Sequence, residues 1–136
     1  MNDRVEQKHD GLPAFRALNL TRGTELAARV EIADTFGSRF RGLMGRSMLP
    51  PGDGLWLTGT SNIHMLFMRF PIDAVFVGRP APDGTRVAVA VCAGLRPWLG
   101  VVWWARGADC CLELPEGTAA LTGTRPGDTL RLEPQA

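Results

Sequence analysis

The sequence contains no tyrosine and a single lysine, Lys8, so arginine carries almost all of its positive charge. The first absence removes one common general acid. The second leaves the residue better suited to gripping carboxylate or phosphate. Charge itself is sparse, at 21% of residues with a net charge of +1. That excludes a disordered polyelectrolyte and a basic nucleic-acid arm, so no nucleic-acid partner is expected. No apolar run reaches the roughly 18–20 residues needed to span a bilayer, and no membrane partner is expected. The opening MNDRVEQKHDGLP lacks the apolar stretch of a secretory signal, which sets a cytoplasmic location as the expectation.

Metal-ligating residues are equally scarce. There are two histidines, His9 and His64, and three cysteines, Cys92, Cys110 and Cys111. Neighbouring residues on a strand face opposite ways, so Cys110 and Cys111 are poorly placed for one metal or an ordinary bridge. The three read as buried free thiols of a reducing compartment. No Cys/His spacing resembles a zinc site. Met44, His64, Met65 and Met68 are soft or borderline ligands, but an extended chain points His64 and Met65 to opposite faces. No metal and no cofactor are therefore expected. Phosphate-loop, dinucleotide and nucleophile-elbow motifs are also missing.

What the chain does have is punctuation and apolar material. Its 136 residues suit one domain, hydrophobic residues make up 45%, and 16 glycines and 10 prolines divide them into short segments. Short segments of this kind favour β architecture over a helix bundle. Residues 1–12 are polar and aperiodic and read as a flexible tail; 13–136 form a single β-rich domain. AFRALNL (14–20) and ELAARVEIA (25–33) alternate about a Thr-Arg-Gly-Thr turn, the pattern of a hairpin. Phe36, Phe40, Leu43 and Met44 recur at helical spacing, predicting one short helix near 35–45. GLWLT, NIHMLFM, IDAVFV (72–77), TRVAVAVCA (85–93), CCLELP (110–115) and the end of RPGDTLRL (125–132) read as strands. GRPAPDG (78–84) is a loop, 94–107 is irregular, and GTAALTG (117–123) is a helical turn. Seven or eight strands and one helix predict a mainly β fold, a single-domain β-sandwich or distorted barrel.

Two tracts can carry chemistry. In NIHMLFMRFPID, His64 sits in an otherwise apolar run, and its ordinary pKa near 6.5 suits proton transfer or a ligand hydrogen bond. The bland alternative is a core histidine satisfied by a backbone carbonyl. Arg69 in so apolar a run needs a partner, and Asp73, four residues on around Pro71, can be that partner. In RGLMGR, Arg41 and Arg46 flank two glycines that permit close backbone approach. This tract can grip an anion or simply end a helix, and a helix C-terminus opposes negative charge. Trp98, Trp103 and Trp104 can form a stacking platform or pack the irregular loop.

ADTFGSRFRGLMGRSMLPPGDGLWL, IHMLFMRFPIDAVFV, GLRPW, LELPEGT and a following GD, in this order, resemble the family called domain of unknown function one-nine-two. These are small prokaryotic proteins with no established activity, and the resemblance runs from about residue 14 to 132. It implies a β-rich, sandwich-like domain with little helix. Members often have Phe-Trp before the methionine where this chain has Leu66-Phe67. Many carry a signal peptide that this chain lacks, which again points to the cytoplasm.

The reading that results is a pocket formed by the RGLMGR and IHMLFMRFPID segments that binds a small polar or anionic ligand. Arg41 and Arg69 are its charged donors, His64 a hydrogen-bond partner, and Asp73 orients Arg69. Two alternatives stand beside it. One is an enzyme with His64 as catalytic general acid or base; the other is a structural or partner-binding protein with no small-molecule site.

Overall fold

The computed structural model describes residues 15–33, 46–65, 68–102 and 104–135, with the backbone alone for Ile63 and His64. The strands are β1 (Phe15–Asn19), β2 (Thr24–Ala33), β3 (Asp53–Thr58), β4 (Ile63–His64), β5 (Ile72–Val77), β6 (Arg86–Leu95), β7 (Val101–Val102), β8 (Cys110–Pro115) and β9 (Thr129–Pro134). Among the described residues there is one helix, α1 (Thr118–Thr122), between β8 and β9.

Seven strands close into a barrel in the order β1-β2-β3-β8-β5-β6-β9, while β4 and β7 form a separate two-stranded ribbon. Closure comes from β9, which pairs antiparallel with β1 from Phe15↔Pro134 to Asn19↔Leu130. The fold is thus the barrel and not the sandwich. The physical reason is that pairing the first and last strands leaves the main sheet without free edges. All neighbours are antiparallel except β2 and β3, which run parallel from Arg29↔Asp53 to Ala33↔Leu57. The β1–β2 hairpin forms where the alternation and the Gly23 turn place it.

Alternation along each strand separates two apolar layers. Ala17, Leu26, Val30, Trp56, Val75, Val77, Leu112, Leu114 and Leu130 fill the barrel interior. Leu55, Leu57, Ala74, Phe76 and Cys111 form a second layer on the outside, packed with Leu49, Met65, Met68, Ile72 and Ala105. Strand β5 is buried along its whole length, which accounts for its unbroken apolar run. Each large apolar side chain so buried contributes about 1.5–3 kcal/mol.

Three sequence expectations change. Among the described residues, the NIHMLFM run contributes only the two residues of β4 to a strand, and the Met68 N–H donates back to the Met65 carbonyl at 3.1 Å. Met65 and Met68 are consequently both buried against the same layer, whereas an extended chain would point them apart. Residues 94–107 are irregular only in part, since β7 pairs there with β4. The helix expected near 35–45 and the tail at 1–12 lie outside the described residues; the helical turn expected at 117–123 is α1.

All three cysteines are free thiols. Cys110 faces the interior and Cys111 the outer layer, as alternation requires, and Cys92 is half-buried where full burial was expected. Burial raises all three thiol pKa values.

Eight residues of β6, 88–95, lie against the six of β5, and two register shifts absorb the two extra residues, while Arg86 and Val87 pair with β9. One falls at Gly94, whose φ of 65° lies in the left-handed region. An added Cβ would also stand 3.3 Å from a Glu116 carboxylate oxygen. Gly94→Ala is expected to lower the unfolding free energy by about 1–2 kcal/mol in urea melts. An unchanged midpoint would show that the bulge relaxes freely.

Candidate functional site

The sequence places Asp73 between Ile72 and Ala74, both of which face outward, so its own side chain points into the barrel. There it is fully buried. Its Oδ1 accepts the Gly94 N–H at 2.8 Å, and Oδ2 accepts the N–H groups of Gly117 at 3.1 Å and Ala119 at 2.8 Å. The first bond satisfies the amide that the β6 bulge releases from the ladder. The other two serve the first turn of α1, which starts at Gly117 with no side-chain cap of its own. At the far end of the helix, Thr24 of β2 donates to the Thr122 carbonyl at 2.9 Å. Asp73 therefore fastens a short helix across the end of the barrel.

The expected role of Asp73 in orienting Arg69 is thereby overturned. Arg69 is exposed, and the carboxylate on the inner face spends both oxygens on backbone amides. Arg69 lies ahead of β5, which begins only at Ile72, so the regular alternation that would bring positions 69 and 73 to one face does not extend back to it. Arg41 lies outside the described residues. The backbone of His64 pairs with Val101 in the β4–β7 ribbon, and its side chain is outside the described part. Among the described residues, no group of His, Cys, Asp and Glu is arranged to hold a metal.

A different carboxyl stands on the outer face. Glu113 is central in β8, with Leu55 of β3 on one side and Ala74 of β5 on the other; Ala74 in turn faces Cys92 of β6. Glu113 is 5% exposed. Its Oε1 is the one buried side-chain nitrogen or oxygen among the described residues without a hydrogen-bond partner. Burial pushes its pKa from 4.5 to about 8, partly offset by the positive charge of Arg46. At neutral pH the group is mostly a neutral carboxyl, able to donate one hydrogen bond and accept others.

Of the two sequence tracts, Arg46, Met65 and Met68 can be placed on this side of the barrel. Arg46, which ends RGLMGR, forms an exposed ion pair with Glu31 at 3.3 Å. Glu31 is in register with Leu55, two strands from Glu113, or about 10 Å at ordinary strand spacing. Met65 and Met68 of the second tract pack into the outer layer that holds Leu55, Ala74 and Cys111. Met65 is held by its N–H on the Gly100 carbonyl at 2.8 Å and by its carbonyl on the Trp98 N–H at 2.7 Å. The sequence pattern alone assigns Glu113 no role. The available signal was a lone carboxylate in CCLELP, facing opposite to Leu112 and Leu114.

These features define a small β-barrel domain whose outer wall carries a buried carboxyl with one oxygen lacking a hydrogen-bond partner among the described residues. Comparison with known proteins gives the family: residues 18–132 match the DUF192 family, described as "Uncharacterized ACR", and the chain belongs to it. It is similar to a UPF0127 protein of Thermococcus sibiricus, 34% identical over 124 residues, covering 85% of this chain and 73% of the relative. A UPF0127 protein of Pyrococcus furiosus is 32% identical over 120 residues, covering 83% of this chain and 94% of the relative. A crystal structure from Novosphingobium aromaticivorans, of a protein of unknown function, aligns with a TM-score of 0.69 at 24% identity, over 87% of this chain and 83% of that one. Another, from Sinorhizobium meliloti, aligns with a TM-score of 0.72 at 24% identity, over 90% and 92% of the two chains. At that identity the two structures establish a shared fold.

Proposed function

We propose that the outer face above Glu113 binds a small polar ligand, with the neutral carboxyl donating a hydrogen bond from the floor of the site. Arg46 supplies positive charge at the rim, and Arg41, His64 and Arg69 are the further candidates from the two tracts. A ligand with an acceptor oxygen and an anionic group matches this set. The observation that carries the reading is the unpartnered Glu113 Oε1. A buried polar atom without a partner costs about 1–3 kcal/mol, and such costs concentrate where a ligand later provides the partner. A group that titrates near neutrality also has the property of a general acid. The nearby Cys92 and Cys111 are poor nucleophiles, however, because burial holds both thiols protonated. Binding is therefore the better supported reading.

Thermal-shift titration at pH 7 with a panel of small hydroxy acids, dicarboxylates and phosphate monoesters tests it. At least one compound is expected to stabilise the wild-type protein, with affinity reduced about tenfold or more in Glu113→Gln and in Arg46→Ala, as loss of one charged or buried hydrogen bond implies. A panel without effect, or a shift that both variants retain, would refute the site.

A further inference from the structure

The segment 94–108 contains no aspartate or glutamate, and it carries Arg96, Arg106 and three of the four tryptophans. Its turn at 97–99 is fixed from beneath. The Trp98 N–H donates to the Met65 carbonyl at 2.7 Å, the Gly100 N–H donates to the Arg96 carbonyl at 2.9 Å, and Met65 is fully buried. A Cβ at Gly100 would stand 2.9 Å from the Met65 Cγ, so the backbone lies directly on the core. Yet this firmly held turn sends its apolar side chains outward. Trp98 is 53% exposed, Leu99 77%, Val101 40% and Trp104 67%. Trp98 has a φ of 67°, the one non-glycine residue in the left-handed region among the described residues. For a bulky side chain that conformation is strained, and strain of this kind concentrates where a side chain must be displayed. Arg96 and Arg106, both exposed, take part in no salt bridge among the described residues.

We propose that this turn seats the protein on a membrane surface containing anionic lipid. Leu99, Trp98 and Trp104 enter the boundary between headgroups and acyl chains, and Arg96 and Arg106 rest on the headgroup phosphates. An apolar turn with Arg96 beside it, in a segment that carries a second arginine and no acid, matches the layering of a bilayer surface, where tryptophan and arginine are both favoured. A protein partner would have to offer a cleft shaped to the turn. Among the described residues no helix is long and apolar enough to cross a membrane. The expectation of no membrane partner rested on the lack of a spanning run, and a surface seat needs none.

Co-sedimentation of the full chain with vesicles decides the matter. Phosphatidylcholine alone is compared with phosphatidylcholine containing one third phosphatidylglycerol, at low and high salt. Binding is expected on the anionic vesicles and to weaken with salt. Leu99→Asp, and separately Arg96→Glu with Arg106→Glu, are each expected to weaken it about tenfold or more. Circular dichroism melts should match wild type, since these side chains are exposed. Equal partition onto both vesicle types, no partition at all, or binding indifferent to Leu99→Asp would overturn the proposal. So would self-association that Leu99→Asp abolishes without any vesicle binding, which would assign the patch to a second copy of the chain.

Discussion

Asp73→Ala is expected to remove about 3–4 kcal/mol of stability, a large part of the 5–15 kcal/mol typical of a domain. The substitution leaves the amides of Gly94, Gly117 and Ala119 without their acceptor. Each orphaned donor costs roughly 1–3 kcal/mol, and the lower end applies to Gly94 and Gly117, whose bonds are only partly buried. Asp73→Asn should cost about half as much. Its carbonyl oxygen can still serve Gly117 and Ala119, while its NH2 then meets the Gly94 N–H donor to donor. Arg69→Met, by contrast, should stay within about 0.5 kcal/mol, as exposed substitutions do, and the double variant should be additive. Urea melts of the four proteins separate this anchor from an Arg69–Asp73 ion pair. Strong coupling between the two positions would mean the carboxylate has a partner other than the backbone.

The second large effect is a loss of stability with rising pH in the wild type that Glu113→Gln lacks. Below pH 4.5 the carboxyl is protonated in both the folded and unfolded chain, and its contribution is fully present. Between 4.5 and about 8 the unfolded chain releases the proton while the folded protein retains it, so stability falls as pH rises. Above about 8 the loss is complete. At 1.36 kcal/mol per pH unit the total is on the order of 4–5 kcal/mol. Asp128 acts in the opposite direction. Bonds from Arg22 and Asn19 pull it down to about 2, so its contribution holds above the ordinary 3.8 and disappears as pH falls towards about 2. Denaturant midpoints measured from pH 4 to 9 should therefore fall between about pH 4.5 and 8 in wild type relative to Glu113→Gln, and run level with it outside that window. Parallel curves would mean that Glu113 ionises freely in the fold.

Local pattern made most strands legible. IDAVFV and CCLELP coincide with β5 and β8, and the 117–123 turn contains α1. Pairing was less legible, because alternation specifies which face a residue takes but not which strand lies beside it. Nothing local in GLWLT reveals a parallel neighbour in β2, or β8 inserted between β3 and β5. Asp73 was singled out for the wrong partner because its real partners are backbone amides, which have no signature in a sequence. Glu113 passed unnoticed for a related reason. Its protonation depends on which side of β8 lies covered, and that follows from the path of segments far away in the chain.

The pairing of β1 with β9 has a bearing on synthesis. Phe15 lies opposite Pro134, so the wall opened by the earliest strand is sealed only by the final one. On the ribosome, β1 and β2 emerge as a hairpin with one long edge still awaiting residues not yet translated. Closure of the barrel must therefore wait until β9 has been made. The same adjacency makes the domain suited to circular permutation: a short linker across the seam would join the two ends, and the cut could be moved to the exposed 79–84 loop.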